Sequence, residues 1–208
     1  MTFIKICGIT NLDDALAAVD AGADALGFNF YKRSPRYVAP ETARDIIDQV
    51  PASILKVGVF VNEPSPESVK TLARDAGVTA VQLHGDESPD YCRQLDGYFI
   101  IKALGAGPDF DAQHVRDYDV EAILLDTKDD ALRGGTGRVF DWSIAREVSR
   151  TVPKLFLAGG LGVQNIEQAI ISVEPYGVDA CSKLEESPGK KNHERMRAFV
   201  ETVRSVKP

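Results

Sequence analysis

Eight short apolar runs, separated by amphipathic stretches, constrain the fold of this chain more than any other feature of its sequence. Each run is too short for a helix and is rich in valine, isoleucine, leucine or phenylalanine, which is typical of a strand covered on both faces. The ends of successive runs recur about every 25 residues. The runs are FIKIC (3–7), ALGFNF (25–30), LKVGVFV (55–61), AVQL (80–83), FIIKAL (99–104), AILLD (122–126), KLFLA (154–158) and VDACS (178–182).

Helical patterns fill the intervals between these runs. Gly22 and Gly77 are predicted to end two of the helices, because glycine adopts the left-handed conformation common at helix C-termini. Asn192 is predicted to cap the last helix at its N-terminus. Pro40 and Pro188 are predicted to lie where helices begin, since proline is tolerated in the first turn.

The regular alternation of strand and helix indicates the α/β class. Eight such units predict a single (β/α)8 TIM barrel, with residues 1–208 forming one domain. A doubly wound open sheet is the rival architecture, but eight regular units without a second domain favour the barrel. No linker or low-complexity segment divides the chain.

Composition and charge exclude several classes of function. The 208 residues carry a formal net charge of −7, which argues against sequence-independent binding of nucleic acid. No apolar stretch approaches the ~20 residues of a membrane span, and the first residues resemble a strand rather than a targeting signal. The three cysteines cannot all pair, and none has the spacing of metal ligands. We therefore expect a cytoplasmic protein with no metal and with neither a nucleic-acid nor a membrane partner.

Two ionisable residues stand out at the predicted carboxyl ends of strands, where TIM barrels carry their functional groups. If Ile4 and Ile6 face the helices, the alternation along FIKIC directs Lys5 and Cys7 into the barrel. Asp126 ends the sixth run on the same rim. A thiol and a carboxyl group at one barrel mouth can supply a base and an acid. The alternatives are a cysteine that only packs, as buried cysteines usually do, and a carboxylate that is only solvated.

Glycines follow the seventh run and a polar turn follows the eighth. In TIM barrels these two loops commonly hold phosphate through free backbone amides and helix N-termini. We therefore predict a phosphate site at Gly159, Gly160, Ser182 and Lys183. Lys183 either adds a positive charge to this site or is simply solvated.

Motifs along nearly the whole chain are together similar to those of one known family. They are KICGIT (5–10), GFNFYKRSPRYV (27–38), GVFVN (58–62), VQLHGDE (81–87), LLDT (124–127), GGTG (134–137) with FDW (140–142), and LAGGL (157–161). No single motif is decisive, but the combination is highly specific. It resembles the phosphoribosylanthranilate isomerases of tryptophan biosynthesis.

The resemblance implies a (β/α)8 barrel that catalyses an Amadori rearrangement of a small phosphorylated substrate without a metal or organic cofactor. It assigns the general base to Cys7, the general acid to Asp126 and binding of the anthranilate carboxylate to Arg36. It also places the substrate phosphate on the loops after strands seven and eight. This chain departs from the common Ser-Ser-Gly pattern at residues 181–183, which read Cys-Ser-Lys.

Three further residues are candidates for the site. His84 is expected either to face the substrate or to have a structural role, and Gly135 lies in the GGTG motif. Asp179 is expected to pair with Lys5 if it points into the barrel, because an unpaired lysine in the interior would be costly. The long segment 127–141 is expected to be mobile without ligand and to close over the substrate.

Two alternative functions fit a phosphate-binding barrel. The barrel isomerase of histidine biosynthesis performs the same chemistry but uses acidic residues after strands one and five, where this chain has Cys7 and IKALG (101–105). A non-catalytic sensor of phosphorylated ligands would not need both a base and an acid on the rim. The sequence leaves the choice between a monomer and a homodimer open.

Overall fold

Strands alternate with helices in the structure, a computed structural model that describes residues 1–107, 110–127 and 142–206. Within these ranges eight parallel strands close a barrel in which each strand pairs with the next and the eighth pairs with the first. The predicted barrel is thus confirmed, and the open doubly wound sheet is excluded. The strands are β1 (Phe3–Cys7), β2 (Ala25–Asn29), β3 (Leu55–Phe60), β4 (Ala80–Leu83), β5 (Phe99–Ala106), β6 (Ala122–Thr127), β7 (Leu155–Ala158) and β8 (Gly177–Ala180).

Helices follow most of the strands and form the outer layer. They are α1 (Leu12–Ala21), α2 (Pro40–Ile47), α3 (Pro66–Ala76), α4 (Pro89–Arg93), α5 (Ser143–Thr151), α6 (Ile166–Val173) and α7 (His193–Ser205). After β5 the described residues contain a 3-10 helix, Ala112–Asp117, instead of an α-helix. None of the helices in the described ranges is long and apolar enough to cross a membrane.

The helix boundaries predicted from local chemistry are mostly confirmed. Gly22 and Gly77 end α1 and α3 with φ values of 100° and 75°, in the left-handed region that favours glycine. The side chain of Asn192 caps α7 by accepting a hydrogen bond from the backbone N–H of Arg195. Pro40 is the first residue of α2.

The region after β8 differs from the prediction. The strand ends at Ala180 rather than Ser182, because the backbone of Cys181, at φ −137° and ψ −86°, leaves the extended conformation. A 3-10 helix, Ser182–Leu184, follows, and then a two-stranded hairpin of β9 (Glu185–Ser187) and β10 (Lys190–Lys191). Pro188 lies in the turn of this hairpin, so its predicted place at a helix start is wrong.

Successive residues of each strand face opposite sides of the barrel wall, and their side chains form an inner and an outer hydrophobic core. Ile4 and Ile6 belong to the outer cluster between strands and helices, whereas Lys5 is fully buried and bonds across the barrel interior to β8. The predicted orientation of FIKIC is therefore confirmed. The inner cluster consists mainly of small and aliphatic side chains: Ala25, Val57, Ala80, Ile101, Ala103, Ala122, Leu124, Phe156 and Ala158. This packing fills the lower barrel and leaves the polar groups at the carboxyl ends of the strands.

Candidate active site

A cavity of about 310 Å³ opens in the mouth of the barrel, at the carboxyl ends of the strands. A larger groove of about 590 Å³ lies beside α5, on the outer helical layer and away from these strand ends. Eight of the predicted site residues line the cavity in the barrel mouth: Cys7, Arg36, His84, Asp126, Gly159, Gly160, Asp179 and Ser182. Lys183 directly follows Ser182 and is exposed. Gly135 and most of the 127–141 segment lie outside the described residues.

Cys7 is the last residue of β1 and is partly exposed to this cavity. Its thiol lies against Gly27 of β2, where an added Cβ would come within 2.8 Å of the Cys7 Sγ and 3.2 Å of the Lys5 Nζ. A hydrogen bond from Cys181 lowers the pKa of Cys7 well below its usual value. Burial acts in the opposite direction, and the positive charges of Lys5 and Lys191 lower the pKa further. This environment favours the thiolate, which is the form that acts as a base.

Lys5 and Asp179 form a buried ion pair beneath Cys7. The Lys5 Nζ lies 2.9 Å from the Asp179 Oδ1, and the two side chains are 0% and 8% exposed. This confirms the predicted pairing and shows that Asp179 points inward. Burial would lower the pKa of Lys5, but the negative charges of Asp179 and Cys7 raise it above its usual range. Burial raises the pKa of Asp179 to about 6; the charge of Lys5 lowers this pKa and that of Cys7 raises it, but both effects are smaller than that of burial.

Asp126 near the end of β6 is connected to His84 and, through it, to Gln82. The His84 Nε2 lies 3.4 Å from the Asp126 Oδ2, and the Gln82 Nε2 lies 2.8 Å from the His84 Nδ1. If the Gln82 amide donates to Nδ1, a neutral His84 carries its proton on Nε2 and presents it to Asp126. His84 thus contacts the proposed acid, a role that the sequence left open. The sequence analysis missed Gln82, although it shares the inward parity of His84 along VQLH.

Arg36 reaches the cavity from the segment after β2 and is held there by Glu185. The guanidinium Nε lies 2.8 Å from the Glu185 Oε1, and Nη2 lies 2.7 Å from Oε2, in a bidentate pair. Lys191 also contacts the Glu185 Oε1, at 3.0 Å. The hydrogen bond that Arg36 donates to the Glu185 carboxylate raises the pKa of Arg36. Sequence reasoning missed both Glu185 and Lys191, because the hairpin that carries them was not predicted.

The two loops of the predicted phosphate site lie side by side. Gly159 and Gly160 have φ values of 95° and 64°, which require glycine-like freedom at this turn. Gly162 contacts the second loop, since a Cβ added there would lie 3.0 Å from the Cβ of Lys183. Of these two strands, β7 is followed closely by an α-helix, whereas the expected helix after β8 is replaced by the short 3-10 helix. The expectation of helix N-termini in both loops is therefore wrong for the second loop.

The described residues contain no group of three or more histidine, cysteine, aspartate or glutamate side chains placed to hold a metal ion. The charged groups of the cavity instead form three neighbouring sets. These are the Cys7–Lys5–Asp179 cluster, the Asp126–His84 pair and the Arg36–Glu185 pair. The arrangement can move protons at one side of a bound molecule and hold an anion at another.

A closed parallel barrel with ionisable side chains gathered at the carboxyl ends of its strands defines a (β/α)8-barrel enzyme. Comparison with known proteins narrows this class. The family model of N-(5'phosphoribosyl)anthranilate (PRA) isomerase matches residues 4–202. The chain belongs to this family.

Individual members of this family are similar to the chain along nearly its full length. The N-(5'-phosphoribosyl)anthranilate isomerase of Thermotoga neapolitana is 47% identical over 207 residues, covering 99% of this chain and 100% of the relative. A phosphoribosyl anthranilate isomerase crystallised with reduced 1-(o-carboxyphenylamino)-1-deoxyribulose 5-phosphate is 41% identical, with a TM-score of 0.87 and coverage of 98% and 99%. A monomeric form generated from the dimeric Thermotoga maritima enzyme is 40% identical, with a TM-score of 0.88 and the same coverage. The family of the rival histidine-pathway isomerase is thereby set aside.

Proposed function

We propose that this chain converts N-(5-phosphoribosyl)anthranilate to 1-(2-carboxyphenylamino)-1-deoxyribulose 5-phosphate, with Cys7 as general base and Asp126 as general acid. The observation that carries the proposal is that both residues line one cavity, at the ends of β1 and β6. The full-length membership in the isomerase family supports the same reaction. The reaction is an intramolecular aldose-to-ketose isomerisation in tryptophan biosynthesis.

The first step opens the furanose ring. Asp126 gives its proton to the ring oxygen, the bond from that oxygen to C1 breaks, and the anthranilate nitrogen forms a Schiff base with C1. The His84 Nε2, 3.4 Å from the Asp126 carboxylate, is positioned to orient this group and to stabilise the negative charge that develops on it.

The second step moves a proton from C2. The Cys7 thiolate removes this proton, the electron pair forms the C1–C2 double bond, and the Schiff base becomes a neutral enolamine. The enolamine then tautomerises to the ketone. The hydrogen bond from Cys181 and the charge of Lys5 lower the pKa of Cys7, which supports its role as a base.

Two ends of the substrate need anchors. Arg36 is proposed to hold the anthranilate carboxylate, and its pairing with Glu185 supports this by fixing the guanidinium at the cavity wall. Gly159, Gly160, Ser182 and Lys183 are proposed to hold the phosphate. The contact between the Gly162 loop and Lys183 supports this site by placing its two halves together.

The test follows the fluorescence of freshly made phosphoribosylanthranilate, which is expected to fall when purified protein is added. Cys7→Ser and Asp126→Asn are each expected to reduce kcat by orders of magnitude, while circular dichroism stays that of the wild type. The serine keeps the shape of the cysteine but is a far weaker base at neutral pH. Near-normal kcat in Cys7→Ser would show that this cysteine only packs, and absence of turnover in the wild type would refute the proposed reaction.

The remaining assignments are also proposals. Residues 1–208 are proposed to form one catalytic domain that acts as a monomer or a homodimer on its small phosphorylated substrate. No metal, organic cofactor, nucleic acid or membrane is required in this proposal. A cytoplasmic location is supported by the three cysteines, which are all free.

A further inference from the structure

Two of the three cysteines lie at the carboxyl ends of neighbouring strands. Cys7 ends β1, and Cys181 follows the last residue of β8. The register pairs Ile6 with Ala180, and the residue that follows each of them is a cysteine. Paired strands lie about 4.8 Å apart, within the Cα separation of about 4.4–6.8 Å that a disulfide requires.

The side chains of these two cysteines also point the same way. Lys5 and Asp179, two residues earlier on the same strands, bond to each other inside the barrel. Residues two positions further along share that inward face. Cys7 and Cys181 accordingly both line the cavity.

The immediate surroundings suit thiol oxidation. Both cysteines are partly exposed, whereas Cys92 is fully buried in α4. The Lys191 Nζ lies 3.7 Å from the Cys181 Sγ, and Lys5 lies beside Cys7, so positive charges flank both sulfur atoms. Oxidant-sensitive cysteines are typically accessible thiolates with a second cysteine in reach.

We propose that Cys7 and Cys181 form a peroxide-sensitive pair, in which Cys7 is oxidised first and Cys181 then closes a reversible disulfide within the barrel mouth. Oxidation of the pair is a reaction distinct from the isomerisation. Its effect on turnover rests on the proposed function, because the disulfide removes the thiolate assigned as general base.

The chemistry balances with hydrogen peroxide as the oxidant. The Cys7 thiolate attacks one peroxide oxygen, the O–O bond breaks, and Cys7 sulfenic acid and hydroxide form. The thiol of Cys181, losing its proton, then attacks the Cys7 sulfur and displaces the sulfenic hydroxyl, which leaves as water. A dithiol reductant reverses the process by thiol–disulfide exchange.

The test treats the purified full-length protein with hydrogen peroxide and measures free thiols, peptide masses and activity. The wild type is expected to lose two of its three thiols and the mass of two hydrogens, and to yield one peptide pair linked through Cys7 and Cys181. Isomerase activity is expected to fall in proportion to the disulfide and to return with dithiothreitol.

Two variants sharpen the result. Cys181→Ser is expected to oxidise at Cys7 to sulfinic acid, so that dithiothreitol restores little of the variant's own untreated activity. Cys92→Ala, which removes the buried thiol, is expected to form the disulfide as the wild type does. An unchanged thiol count, disulfides only between chains, or sulfinic acid at Cys7 in the wild type would overturn the proposal. Because thiols and masses are read without substrate, this outcome is distinguishable from failure of the proposed isomerase activity.

Discussion

At the scale of single residues, the pKa values of Cys7 and Cys181 depend on each other. The thiol of Cys181 donates a hydrogen bond to Cys7 and so lowers the pKa of Cys7. The same interaction raises the pKa of Cys181, so one proton is retained on the second sulfur. The pair therefore behaves as one base with an attached donor.

Removal of the Cys181 thiol tests whether its hydrogen bond lowers the pKa of Cys7. Without the hydrogen bond the thiolate is less stabilised, so Cys181→Ala is expected to raise the pKa of Cys7. Activity that requires the thiolate rises with pH through this pKa, and the ascending limb of the kcat/KM profile should move to higher pH. Cys92→Ala is the matched control and should leave the limb in place. A limb that moves to lower pH in Cys181→Ala would contradict this account.

The hydrogen bonds of Arg36 lead to a second prediction at this scale. Its Nε and Nη2 atoms already bind both oxygens of Glu185, so a substrate carboxylate must use the remaining guanidinium hydrogens. Lysine has no planar fork and cannot serve both carboxylates in this way. Arg36→Lys is expected to raise KM roughly tenfold or more, because a charge-assisted hydrogen bond contributes about 1.5–3 kcal/mol. KM is measured from initial rates over a range of substrate concentrations. Arg44→Lys, on the outer surface, is the control.

At the scale of secondary-structure elements, β1 and β2 approach closely enough to depend on one glycine. A Cβ on Gly27 would lie 2.8 Å from the Cys7 Sγ and 3.1 Å from the Cys7 Cα, so the strand itself would have to shift. Gly27→Ala is therefore expected to lower kcat and to destabilise the fold by about 1–3 kcal/mol, as overpacking does. Urea unfolding and steady-state kinetics measure the two effects.

The control for this substitution is Gly107→Ala, because none of the residues that the structure describes comes within 4 Å of a Cβ added at Gly107. That variant should match the wild type in both measurements. Equal behaviour of the two alanine variants would show that Gly27 does not set the position of Cys7.

At the scale of the whole molecule, the barrel could be predicted from sequence patterns that repeat locally. Parts of the site could not be predicted in this way. FIKIC predicted that Lys5 and Cys7 point inward, because strand alternation needs only neighbouring residues. Glu185 and Lys191 reach the site through a hairpin, and Glu185 bonds to an arginine 149 positions away. No local periodicity signals such a contact.

The closure of the barrel joins the two ends of the sequence through a buried charge pair. Lys5 of β1 and Asp179 of β8 lie 174 positions apart and form a 2.9 Å contact across the seam. Removal of one partner from a buried pair leaves an uncompensated charge, which typically costs about 3–5 kcal/mol. Lys5→Met is therefore expected to destabilise the whole barrel, as measured by urea unfolding.

The pH dependence of that loss distinguishes a buried charge from lost packing. The pKa of Asp179 is already raised to about 6 by burial, and without Lys5 it should rise further. A carboxyl group whose pKa is higher in the folded state stabilises the fold while protonated and destabilises it as the pH rises. Lys5→Met should therefore lose more stability at about pH 8 than at about pH 5, relative to the wild type. The double variant Lys5→Met/Asp179→Leu contains neither charge and should show little of this extra dependence; an equal dependence in both variants would mean that Asp179 is not its source.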